Sequence, residues 1–187
     1  MEQKGVIIVL LLLATLFLGT VGNFYTGNAV LNPSDLSLKN YPYPFIKNNV
    51  PNSLYIVIPY DYSYAEFDAA RQISASLQGL NPLPPQIVTL KELPEGEHNL
   101  ILIGNPCTNP LIADELATTD CHSGLEYGYG LLKLSNNERN SVLVVAGYSN
   151  DDLKKAVNVI SNPNYYPLNK NAVLVSGNIG YLTLDYY

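Results

Sequence analysis

Three short runs are apolar at successive positions rather than at alternate ones: Leu54 to Pro59 (LYIVIP), Asn99 to Ile103 (NLILI) and Ser141 to Gly147 (SVLVVAG). A strand with one wet face alternates, so an unbroken apolar run points to burial on both faces. Behind each run stands the start of a helix. Ser63 with Glu66 three residues on is a capping box, which satisfies backbone N–H groups that the first turn leaves open. Asn109 precedes Pro110 as N-cap and first helical residue, opening a short helix through Leu116. Ser149 precedes Asp151 and Asp152, whose charges favour the positive end of a helix. Phe67, Ala70, Ile73 and Leu77 fall on one helical face, and Gly79 and Pro82 end that helix. Leu153, Ala156, Val157 and Ile160 form a second stripe. Ile87 to Leu90, the centre of Gly124 to Asn136, Ala172 to Val175 and Tyr181 to Leu184 read as further strands. The alternation predicts an α/β fold: a single three-layer domain over residues 52–187 with a mostly parallel sheet. The C-terminal strands are expected to add an antiparallel edge.

The N-terminus carries a different signal. Val6 to Leu18 is apolar except for Thr15, Lys4 precedes it, and Gly19, Thr20, Val21 and Gly22 supply small residues behind it. This is the pattern of a secretory signal peptide over residues 1–22. An uncleaved anchor fits as well, because Gly5 to Gly22 is close to the shortest span that crosses a bilayer. In either case Lys4 keeps the N-terminus inside and sends the remainder outside. Val6 to Leu18 is apolar on every side, which weakens the reading as a buried core helix of the domain. Residues 23–51, rich in Asn, Pro, Gly and Tyr, read as a linker. Tyr41-Pro42-Tyr43-Pro44 in particular favours extended backbone.

Export gives the two cysteines a meaning. Cys107 and Cys121 would close a loop of about 15 residues, worth roughly 3 kcal/mol in an oxidising compartment. The alternatives are free thiols, or a metal site that recruits His122 and His98. The closely spaced ligand pairs of zinc sites are absent.

Charge excludes one class of partner. The net charge is −6, and Lys154-Lys155 is the longest basic stretch past the N-terminus, so no footprint for nucleic acid exists. Only 14% of residues are charged, while there are 15 tyrosines, whose rings and hydroxyls suit wet contact surfaces. No Asn begins an N-x-Ser/Thr sequon.

Ligands of open α/β sheets bind beyond the carboxyl ends of the strands. Those loops are Tyr60 to Ser63, Gly104 to Asn109 and Gly147 to Asp152. All three are explained by capping and turn formation. No glycine-rich phosphate loop, Walker motif or nucleophile elbow is present. His98 reads as a residue of a surface turn, and His122 as a loop residue behind Cys121. Asp151 and Asp152 point in different directions on a helix and form no acid/base pair. Tyr127 and Tyr129, between Gly128 and Gly130, could present an aromatic contact face or pack an edge strand. No catalytic residue, cofactor site or metal site is expected, and the chain is read as not an enzyme.

Four segments together carry a family resemblance: Tyr41 to Ile46 (YPYPFI), Asn99 to Leu116 (NLILIGNPCTNPLIADEL), Gly124 to Leu134, and Ser141 to Leu153 (SVLVVAGYSNDDL). They resemble the α/β domain of archaeal surface-layer (S-layer) proteins over about residues 41 to 165. The resemblance implies a non-catalytic building block outside the cell. It also implies partners among other envelope proteins or copies of itself, and the membrane if residues 5–22 stay attached. S-layer subunits are typically longer and often carry sequons, which this chain lacks. Two other readings remain: a membrane-tethered module binding glycan or peptide through the strand-end loops or Tyr127 and Tyr129, and an exported hydrolase with His98 or His122 beside a nucleophile.

Overall fold

The computed structural model describes residues 37–78, 83–136 and 140–186. The apolar leader lies outside the described residues, as do Gly79 and Pro82. A 3-10 turn (Leu38–Asn40) leads into a hairpin of β1 (Ile46–Lys47) and β2 (Val50–Pro51). Then come β3 (Leu54–Ile58), α1 (Tyr64–Gln78), β4 (Gln86–Thr89), β5 (Asn99–Gly104) and α2 (Pro110–Glu115). The second half holds β6 (Gly130–Asn136), β7 (Ser141–Gly147), α3 (Asn150–Ser161), β8 (Ala172–Asn178) and β9 (Tyr181–Tyr186).

The three apolar runs become β3, β5 and β7, neighbours in a sheet of order β4-β3-β5-β7-β6-β8-β9. The first four strands are parallel. From β7 onward every pairing is antiparallel. The antiparallel part is therefore more than an edge added by the last two strands, because β6 lies between β7 and β8. Chain length explains it. Only four residues separate Asn136 from Ser141, enough for a hairpin but not for the crossover that a parallel neighbour requires.

Successive side chains of each central strand go to opposite cores. Leu54, Ile56, Ile58, Ile101, Ile103, Leu143 and Val145 face α1 and α3, meeting Ala70, Ile73, Ala156 and Ile160. Val57, Leu102, Val142 and Val144 face the other way, under Ile112 of α2 and Leu125. Both faces are covered, the physical reason for the missing alternation.

Residues 37–51 differ from the linker expectation. Leu38, Tyr41 and Phe45 are buried in the same core as α1 and α3. Full burial of side chains such as Leu38 and Phe45 contributes about 2 kcal/mol each, more than a solvated spacer would gain by docking. Asn48 and Asn49 both have positive φ (52° and 60°) and form the two-residue loop between β1 and β2. Asparagine tolerates that region, and the strand twist favours it in tight hairpins. The bonds preceding Pro42 and Pro44 are both cis, whereas the sequence suggested plain extended backbone.

Two glycines let α3 approach the sheet. Gly130 of β6 and Gly147 of β7 face each other in register. A Cβ on Gly130 would lie 2.5 Å from the Asp152 carbonyl oxygen, and one on Gly147 would lie 2.2 Å from the Leu153 nitrogen.

Candidate functional site

The crevice at the carboxyl ends of β3 and β5, where β4 and β5 leave on opposite sides of β3, is the usual ligand position in such a sheet. Here the protein's own polar groups fill it. The capping box forms as read: Glu66 Oε2 accepts from the Ser63 N–H (2.7 Å) and hydroxyl (2.8 Å), and the Glu66 N–H donates to Ser63 Oγ. The other carboxylate oxygen accepts from the Thr108 hydroxyl at 3.0 Å. Asn109, fully buried, caps α2 through its side-chain oxygen while its NH₂ donates to the carbonyls of Val57 and Ile103. Gly104 at φ 126° leaves the room: a Cβ there would sit 2.7 Å from Thr108 Oγ1 and 2.9 Å from Glu66 Oε1. A carboxylate so enclosed is a structural tie between α1 and the β5–α2 loop.

The open site lies over the end of β7 and the start of α3. Cys107 and Cys121 are joined in a disulfide, as their spacing suggested, with Cα atoms 4.7 Å apart. As a disulfide they offer no thiolates to a metal. The bond anchors the chain just before His122, whose ring stacks on Tyr148 at 4.0 Å between centroids. Tyr148 meets Tyr127 edge-on at 5.6 Å. Tyr127 is 80% exposed, so the outermost ring of this trio stands free in solvent. Beside it opens a cleft of 530 Å³ lined by Tyr127, Gly128, Ser149, Asp151, Asn178 and Ile179 among others.

Tyr127 and Tyr129 do not share a face. Tyr129 packs, half-buried, against the second core, whereas the Tyr127 ring is exposed. Tyr148 and His122 were not legible as partners, because they are 26 residues apart in the chain and meet only in the fold, beside the disulfide.

What holds Tyr127 in place is Asp152, which the sequence suggested only as a helix-end charge. Its side chain is buried, and it accepts from the Ser149 hydroxyl (2.7 Å), the Gly128 N–H (3.3 Å) and Lys155 Nζ (2.9 Å). Lys155 also donates to the Gly128 carbonyl at 2.6 Å. The 127–129 loop is thereby clamped to α3 through both backbone groups of Gly128. Burial pushes the Asp152 carboxyl up. The hydrogen bonds from Lys155, Ser149 and Gly128, with the Lys155 charge, outweigh it and hold the group below its ordinary 3.8. A depressed folded-state value stabilises the fold fully above the unfolded value, and that stabilisation is lost as pH falls through the folded one. Asp152→Asn should therefore lower stability at neutral pH by about 1–2 kcal/mol, since Lys155 keeps its charge without its counter-ion. It should also remove part of the wild-type stability loss below pH ~4. Urea unfolding at neutral and acidic pH measures both; equal losses at the two values would show that the clamp does not depend on ionised Asp152.

The histidines fall in different settings. His122 belongs to the aromatic wall. His98 Nδ1 lies 2.9 Å from the Ser53 hydroxyl, with the ring edge-on to Tyr55 at 4.9 Å. Ser53 has a positive φ of 46°. His98 Nε2 is buried and has no hydrogen-bond partner among the described residues, so no carboxylate orients the ring through it. The pair sits at the amino ends of β3 and β5, opposite to the ligand end of the sheet. Among the described residues no three of His, Cys, Asp and Glu gather as a metal-binding group, and no helix is long and apolar enough to cross a membrane.

No protein-family model matches the sequence, and no curated protein matches it. A solved structure described as "Structure of CpGH84D" is similar at 14% identity and a TM-score of 0.41. The match covers 65% of this chain and 19% of that one. The expectation that this chain is not an enzyme is corrected on that finding, because the similar structure is one of glycoside hydrolase family 84. The physical reason is that a motif search reads only residues close in sequence, so the absence of motifs could not carry that expectation. At this identity and TM-score the likeness assigns no activity in return.

Proposed function

We propose that the chain is an exported component of a cell envelope that faces the outside and binds other envelope proteins, or further copies of itself, through the surface around Tyr127. The supporting observation is the Cys107–Cys121 disulfide. Such bonds persist where thiols are oxidised, and this one positions the His122–Tyr148–Tyr127 wall that would meet a partner. The apolar residues 1–22 supply the route, as signal peptide or as an N-terminal anchoring helix ahead of a three-layer domain. The sequence resemblance names the archaeal surface layer as the envelope concerned. Exposed tyrosines favour association, because each brings a large apolar ring with a hydroxyl that stays hydrogen-bonded.

Fractionation of the native host with a tagged copy tests the location. The protein should be found with the envelope, open to protease on intact cells, and its mass should show oxidised cysteines. Recovery from the cytosol with both thiols reduced would reject the proposal. The Tyr127→Ala/Tyr148→Ala variant, which touches no core residue, should leave isolated envelopes at least about tenfold more readily than the wild type. Unchanged retention would move the contact elsewhere.

A further inference from the structure

The seven-stranded sheet ends differently on its two sides. β4, one edge, is four residues long, and Pro84 and Pro85 stand directly before it. A short strand introduced by residues without N–H groups is a poor template for another chain, which is how natural edges are blunted. β9, the other edge, has none of these devices. Its six residues pair with β8 without a bulge, from Val173↔Tyr186 to Asn178↔Tyr181. It holds no proline, lysine or arginine. The Ser176 and Thr183 hydroxyls lie 2.7 Å apart, so side chains as well as backbone hold the strand to β8. No residue of β9 is buried, Tyr181 is 88% exposed, and among the described residues no strand lies on its outer side. Every second residue of such an edge turns its N–H and C=O outward, so β9 presents a row of backbone donors and acceptors to solvent.

The side chains of β9 say what pairs there. Leu182 and Leu184 are half-buried against the core beneath α1 and α3. Tyr181, Thr183 and Asp185 alternate with them and are exposed. Laid antiparallel on a second β9 with Thr183 opposite Thr183, the strand is its own complement. Leu182 then meets Leu184 of the other copy on the helix side, and Tyr181 meets Asp185, whose carboxylate can accept from the phenol. The two Asp185 carboxylates stay about 14 Å apart, beyond the screening length. With Leu184 opposite Leu184 they would approach to about 8 Å and repel. A one-residue slip would put the leucines on the wrong face. The two-fold arrangement closes on itself, whereas β9 against the short β4 of the next copy would not.

We infer that β9 is a self-association edge: two copies pair β9 to β9 about a two-fold axis through Thr183, making one continuous sheet across both. The paired stretch, Tyr181 to Asp185 on each side, is at the small end of specific interfaces, which corresponds to a Kd of roughly 10–100 μM. The edge is separate from the tyrosine wall. The cleft beside Tyr127 takes Gly177, Asn178 and Ile179 from the turn ahead of β9 and nothing from β9 itself. Nor does the pairing depend on where the protein resides.

The test uses the protein as its host yields it, disulfide intact, in detergent if residues 1–22 are retained. Sedimentation velocity from about 1 to 500 μM brackets the expected Kd. The wild type should pass from monomer to dimer over that range and stop there. Thr183→Lys sets two like charges against each other on the axis and should weaken the dimer about fivefold. Because Thr183 is exposed, this variant should melt in dilute solution within about 3 °C of the wild type. Tyr127→Ala/Tyr148→Ala should dimerise as the wild type does. Introduced cysteines read the register, since the native pair is disulfide-bonded and does not compete. A short bis-maleimide should join Thr183→Cys to itself, and Tyr181→Cys to Asp185→Cys, while Asp185→Cys alone should react about tenfold more slowly, its side chains being about 14 Å apart. A monomer at about 500 μM, growth past the dimer, or a dimer unmoved by Thr183→Lys would each overturn the inference. Equal joining at Thr183 and Asp185 would overturn it as well.

Discussion

Gly147→Ala should destabilise the domain by about 3 kcal/mol, at the upper end of what overpacking costs. The added carbon would lie 2.2 Å from the Leu153 nitrogen, 2.7 Å from the Asp152 carbonyl carbon and 2.8 Å from the Leu153 Cα. All three are backbone atoms in the first turns of α3, so no side-chain rotation relieves the clash. The helix as a whole must lift off β7, and Leu153, Ala156 and Ile160 leave their seats in the core with it. For a domain of this size the loss corresponds to a melting temperature lower by about 10 °C. The effect should reach the candidate site, because Asp152 and Lys155 ride on the same turns and hold Gly128. Gly128→Ala is the informative control. Its Cβ would meet nothing within 4 Å, so only the positive φ of 90° is penalised, at about 1 kcal/mol. Thermal unfolding followed by circular dichroism ranks the two. A Gly147→Ala protein that melts with the wild type would show that α3 is seated more loosely than these distances state.

The second large effect is expected from the disulfide. Cys107→Ser/Cys121→Ser opens a loop whose ends are 14 residues apart in sequence, and the chain-entropy argument puts the loss at about 3 kcal/mol. Dithiothreitol should reproduce the loss in the wild type and do nothing to the double variant. Local consequences distinguish this from Gly147→Ala. Without the bond, His122 loses its tether and the His122–Tyr148 stack should loosen, while the Asp152 clamp on Gly128 stays. Denaturant midpoints with and without reductant give the global number, and His122 ring shifts give the local one. A reduced protein as stable as the oxidised one would mean that the short α2 segment confines the loop by itself.

Both predictions rest on features of unequal legibility. The cysteine spacing was readable because loop closure depends on separation along the chain. The role of Gly147 was hidden, since glycine after a strand ordinarily reads as a turn, and only the position of α3 reveals a close approach. Residues 37–51 were misread for a related reason. Prolines and asparagines dominate their composition, yet Leu38, Tyr41 and Phe45 decide where the segment goes. The Asn48-Asn49 pair between Lys47 and Val50 was the one local sign of a hairpin. The clamp was half visible: Ser149 followed three residues later by an acid is a capping pattern, but its extension to Gly128 joins positions 24 apart.

The sequence by itself determined the strands of the main sheet, the helices and their caps, because unbroken apolar runs, helical spacing and capping boxes act over a few residues. It favoured the disulfide over free thiols or a metal site for the same reason of proximity, and the structure shows the bond. Only the tertiary structure decided that β6 runs antiparallel within the sheet, that the β3–β5 crevice is filled from inside, and that Tyr127 leaves Tyr129 to join Tyr148 and His122. Those outcomes depend on contacts between residues far apart in the chain, whose energies appear only once the sheet order has brought them together.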